Sequence, residues 1–155
     1  MTVLHRSELV PGVVVHLDSD ELRALGGSRT NAQATADEDR AVTGAHDFLV
    51  LMVNAATSDV LATPLFPRSA PGSAPLDDRR RRGPAEWLPH PVFHSRWQHW
   101  QIPIDALLAA SSGETTEPGA RRSYATDSAD TLQDLANWAT RNRCAYRVVE
   151  PRIRN

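Results

Sequence analysis

The densest concentration of chemistry-bearing residues in this 155-residue chain is the stretch from His90 to Trp100, HPVFHSRWQHW, which carries three of the six histidines and two of the four tryptophans. Imidazoles at short spacing suggest a metal centre, since histidine is the commonest metal ligand. The spacing argues otherwise. Pro89 and Pro91 disfavour a helix across His90 and His94, and so remove the i, i+4 pair that helical zinc motifs use. On a strand, His90 and His94 share one face while His99 points to the other, so three ligands do not converge. Cys144 is the sole cysteine, which excludes an intrachain disulfide and a four-cysteine zinc site. No metal and no cofactor are expected.

Two readings of the segment remain. As a nucleic-acid surface, Trp97 and Trp100 stack bases, His94 lines the groove, and Arg96 with the run Arg79, Arg80, Arg81 and Arg82 meets phosphates. As a barrel strand, Phe93 and Trp97 face inward and fill a core, with His90, His94 and Trp100 left to line a groove. The run at 79–82 is equally what a solvated loop looks like.

The elements that must position these residues are legible in part. Pro11-Gly12 followed by Val13–Leu17 predicts a turn feeding a strand. Asp18, with Glu21 three residues on and Gly26-Gly27 beyond, predicts one or two helical turns over 19–25. Residues 28–45 are small, polar and acidic and predict a long mobile loop. Asp47–Asn54 and Asp59–Phe66, joined by Ala55–Ser58, predict an antiparallel hairpin. Its first strand is apolar at nearly every position and so is covered on both faces. Pro64 cannot donate to a ladder, which puts that end of the second strand at an edge or bulge. Residues 67–86 and 111–129 predict exposed loops. Pro103 opens a short helix with Ile104, Leu107 and Leu108 on one face. A longer helix is predicted at 130–142, with Leu132, Leu135, Ala136 and Ala139 on one side, and a last strand at 144–149.

No internal repeat or second core is visible, so a single domain is expected. No run approaches the roughly 18 apolar residues of a membrane span, and the first residues, MTVLHRSELVPG, do not resemble a signal peptide. A cytoplasmic location is expected. The net charge is −2, with 17 basic residues, all of them arginine. Acidic residues crowd 18–39, while arginines gather at 79–82 and 141–154; this is not the balance of a dedicated nucleic-acid coater.

The order of elements resembles the PemK/MazF-type toxins of type II toxin–antitoxin systems and their phage-encoded relatives. LVPGVVVHLD is similar to their opening strand, DFLVLMVN and VLATPLF to the next two, and HPVFHSRWQHWQIPI to their "HPFI-x-H-x-SY" segment. The resemblance covers about residues 8–108, discontinuously. It implies an α+β, mainly β fold: an SH3-like β-barrel of five or six strands with short helices and one C-terminal helix, often dimeric. It also implies metal-independent cleavage of single-stranded RNA, and an antitoxin or other protein partner. The family's arginine-proline aligns with His46-Asp47, and its threonine with Phe66, three residues before Ser69. On this resemblance His46 would be the base, with Arg68 and Ser69 contacting phosphate. A cleavage-impaired relative is a variant of the same expectation. The alternative is a non-catalytic phage- or prophage-type interaction module, in which the acidic 28–45 loop covers a basic patch on a protein partner.

Overall fold

The computed structural model describes residues 2–32, 41–69, 73–83, 91–95, 98–111, 115–116, 122–125 and 146–150. The strands are β1 (Thr2–Val3), β2 (Val14–Asp18), β3 (Arg29–Thr30), β4 (Ala45–Asn54), β5 (Asp59–Phe66), β6 (Ser73–Pro75), β7 (Arg81–Arg82), β8 (Phe93–Ser95), β9 (Trp100–Pro103), β10 (Thr115–Thr116), β11 (Ser123–Tyr124) and β12 (Arg147–Val148). The helices are α1 (Ser19–Leu25) and α2 (Ile104–Ala110). The predicted helix at 130–142 lies outside the described residues.

The chain is mainly β, as expected, but its principal sheet is open rather than closed into a barrel. The order is β12-β3-β9-β5-β4-β2, all antiparallel, with β8 and β6 joined to the side of β5. The hairpin β4–β5 is its spine. Asn54 caps the connection by accepting from the backbone N–H groups of Ala56 and Thr57, and Ser58 takes the left-handed conformation (φ 55°) that returns the chain. Closure fails because the strands flanking this spine are short. β2 has five residues, and beyond it, among the described residues, the ladder continues through the single bridge Val13↔Ser123 to the two-residue strand β11. A barrel needs an unbroken ladder around its girth.

The outer edge of β5 is divided. Asp59–Ala62 pairs with β9, whereas Leu65 and Phe66 pair with β8. Pro64 lies at this changeover: it pairs with Phe48 of β4 on one side, and among the described residues no strand pairs with it on the other. That is where a residue without an N–H belongs. The neighbouring Thr63 hydroxyl donates to the Gln98 carbonyl at 3.0 Å, holding the connection between the two short strands against the sheet.

Both faces of β4 are covered. Phe48 and Val50 join Val15, Leu17, Leu22, Val60, Trp100, Ile102 and Leu107 in a first core beneath α1 and α2. Leu49 and Leu51 join Val14, Leu65, Leu76 and Tyr124 in a smaller second core on the opposite face. The segment from β6 to β7 crosses over this second core, linking the β8 side of the sheet to β11.

The remaining expectations divide. α1 forms where predicted: the Asp18 carboxylate accepts from the Asp20 N–H at 2.9 Å, and Gly26 and Gly27 (φ 81° and 84°) end it in a conformation open to glycine. The expectation of an exposed loop at 67–86 is corrected. There β6, the 3₁₀ turn Asp78–Arg80 and β7 are ordered around buried Leu76. The 28–45 loop likewise contains β3 and a buried Val42, and the 111–129 loop contains β10 and β11. Among the described residues no helix is long and apolar enough to cross a membrane.

Candidate functional site

Among the described residues of the histidine–tryptophan segment, His94, Gln98, His99 and Trp100 are buried. Trp100 is fully enclosed in the first core, edge-on to Phe48, with the Arg23 guanidinium 5.4 Å from its ring centroid and its indole N–H donated to Gln98 Oε1 at 2.8 Å. The expectation that Trp100 stacks nucleic-acid bases is therefore corrected, because stacking needs an open ring face. The reason is register: Trp100 pairs with Ala62, which faces the first core. His94 is 3% exposed, and its Nδ1 lies 3.0 Å from the Ser95 carbonyl oxygen, so it too is withheld from a groove. Phe93 is only half-buried. His90, Arg96 and Trp97 lie outside the described residues.

The arginine run is also engaged. Asp77 accepts from Arg79 through Nε at 3.2 Å and Nη2 at 3.1 Å, and Arg80 Nε stands 3.7 Å away. The hydrogen bonds from the Arg79 side chain and its backbone N–H hold the Asp77 carboxyl below the usual carboxylate range, and the same bond pushes the Arg79 guanidinium up. Arg81 is 3% exposed and donates to Asp78 at 2.6 Å. Arg82 donates to the carbonyls of Arg79 and Arg81. Alternation along β7 sends Arg81 inward beside Tyr124, its partner on β11, while Arg82 stays exposed. Arg79 and Arg82 are thus the exposed members of the run, and Arg80 is half-buried.

His46 is the second residue of β4, on the first-core side. Its Nε2 is 3.1 Å from the Thr43 carbonyl oxygen and its ring meets Phe66 edge-on at 5.7 Å. Arg68 and Ser69 are exposed just past β5. Among the described residues, no hydrogen bond or ion pair joins any two of these three.

A different histidine has the better surroundings. His16 projects from β2 on the second-core side and is directly opposite Asp47 of β4. Its Nδ1 is 3.0 Å from Asp47 Oδ1, and Arg122 Nη1 donates to Asp47 Oδ2 at 2.8 Å. Half of the His16 side chain is exposed (51%), against 29% for Asp47 and 21% for Arg122. Three separate segments position the group. Alternation in Val14–Asp18 buries Val15 and Leu17 on one side and turns His16 to the other. In β4 it buries Phe48 and turns Asp47 away. Arg122 is anchored by its own carbonyl, which accepts the Val14 N–H at 2.8 Å immediately before β11.

A histidine backed by a carboxylate, with a cation on the second carboxylate oxygen, can take a proton from a bound hydroxyl and stabilise nearby negative charge. Sequence reasoning missed this grouping. His16 sits in a valine-rich strand and Arg122 is 106 positions away, so only the strand register brings them to one carboxylate. An alternating pattern with a lone polar His16 was the available signal. Among the described residues, no group of three or more histidine, cysteine, aspartate or glutamate side chains is arranged to hold a metal ion. Comparison of the chain with protein-family models, with curated proteins and with solved structures found no match.

Proposed function

We propose that the protein acts on single-stranded RNA, as a metal-independent endoribonuclease or a cleavage-impaired relative, with His16 in the role first given to His46. The observation that carries this reading is the half-exposed His16 held on Asp47, whose other oxygen receives Arg122. The substrate class comes from the PemK/MazF resemblance, and the choice of residues from the geometry. In this reading His16 accepts the ribose 2′-hydroxyl proton. The 2′-oxygen then attacks phosphorus, the 5′-oxygen leaves and is protonated by solvent, and Arg122 lies beside the charge that builds on the phosphoryl oxygens.

The test is cleavage of a mixed-sequence single-stranded RNA in the presence of a chelator. His16→Ala is expected to lower the rate about 10²–10⁴-fold, the usual worth of a general base, while His46→Ala retains it. Equal loss in both variants, or cleavage untouched by His16→Ala, overturns the assignment.

A second reading is favoured by the arginine run. Its pairing with Asp77 and Asp78 leaves less positive charge for phosphates, which suits a non-catalytic module that binds a protein partner. Native protein that neither binds nor cuts RNA supports that reading instead.

A further inference from the structure

The hydrogen bonds around Asp47 have a direction. An ionised carboxylate only accepts, so the bond at 3.0 Å to His16 Nδ1 requires the proton to sit on Nδ1. The neutral ring then keeps its basic lone pair on Nε2. Arg122 reinforces this from the other side, because a guanidinium only donates and occupies Oδ2 at 2.8 Å. The three groups sit on β2, on β4 and beside β11, and each backbone is tied to its neighbour. His16 and Asp47 face each other in the ladder, and the Arg122 carbonyl accepts the Val14 N–H.

We propose that Asp47 and Arg122 are positioning residues that lock His16 in the Nδ1–H tautomer, leaving Nε2 as its proton-accepting nitrogen. This deepens the RNA-cleavage reading and takes its site from it, but its test does not use RNA. Arg122 determines what an amide in place of Asp47 would do. In Asp47→Asn, the guanidinium claims the amide oxygen, which turns the amide N–H₂ toward His16. The ring must then accept at Nδ1, and its proton moves to Nε2. Removing Arg122 as well frees the amide to turn either its oxygen or its N–H₂ toward His16, so the Nε2–H tautomer is no longer enforced.

The side-chain nitrogens of ¹⁵N-labelled protein, observed by long-range NMR correlation well above the ordinary imidazole pKa, read this directly. His16 is expected as Nδ1–H in the native protein, as Nε2–H in Asp47→Asn, and with a recovered fraction of Nδ1–H in Asp47→Asn with Arg122→Met. His46 is an internal control: its Nε2 faces the Thr43 carbonyl, so it stays Nε2–H in all three proteins. The backbone amide spectrum reports whether each variant is folded. Native His16 found as Nε2–H, or a tautomer unchanged by Asp47→Asn, overturns the proposal. If the tautomer switches as described while native protein fails to cut RNA, only the substrate reading falls. If RNA is cut while the tautomer does not respond, only the positioning role falls.

Discussion

A single side-chain oxygen, Gln98 Oε1, accepts two buried donors: the Trp100 indole N–H at 2.8 Å and the Val42 backbone N–H at 3.0 Å. The Val42 carbonyl is held from the opposite side by Arg23 Nη2 at 2.6 Å, and Ser19 donates to the Gly44 carbonyl at 2.7 Å. Residues 42–44 are thereby clasped to α1 and to Gln98, just ahead of β9, in a stretch that the sequence presents as polar and featureless. Gln98→Ala strands both donors. At about 1–3 kcal/mol for each buried unsatisfied group, it should lower the unfolding free energy by roughly 2–6 kcal/mol, read by urea denaturation. A loss below about 0.5 kcal/mol would mean that the clasp contributes little. At this scale the sequence is a poor guide. It marks Trp100 and His94 as reactive because of their types, yet burial removes both, and it passes over His16 because nothing local announces Asp47 and Arg122 as its partners.

Elements were legible where the signal is local. The β4–β5 hairpin follows from two apolar runs and a four-residue connection, and α1 from Asp18 and the glycine pair. Strands of two or three residues carry no periodicity of their own. β3, β6, β7, β8 and β11 exist because a neighbouring strand offers a ladder, which is why 73–82 reads as loop in sequence yet forms β6, a 3₁₀ turn and β7. The division of the β5 edge shows the limit well. Pro64 announces that a partner must be missing there, but not that two strands meet on either side of the gap. Thr63 bridges that gap by donating to the Gln98 carbonyl. Thr63→Val keeps the branched shape and removes the donor, and should cost about 1 kcal/mol, whereas Thr63→Ser should stay close to the native value. Chemical denaturation of the three proteins checks this; equal stability of the valine and serine variants would leave the hydroxyl without a role in joining β8 to β9.

The molecule as a whole has two apolar cores on opposite faces of one strand. Phe48 and Leu49 are adjacent and fully buried, yet Phe48 belongs to the first core and Leu49 to the second. The expected barrel would have had a single interior. The open sheet uses β4 as a partition instead, with α1 and α2 covering one side and the β6–β7 crossing covering the other. The resemblance that suggested a barrel drew on the order of strands, and strand order does not determine whether the ladder closes. Because β4 cannot leave one core without exposing the other, the two should unfold together. Leu49→Ala, made in the second core, is expected to cost about 2–5 kcal/mol. It should displace the tryptophan fluorescence transition, which includes Trp100 in the first core, by as much as it displaces the far-ultraviolet circular dichroism transition. Leu107→Ala, made in the first core, should move both probes together in the same way. Two separated transitions in either variant would show that the cores are independent, and the partition by β4 would then be a matter of geometry without energetic coupling.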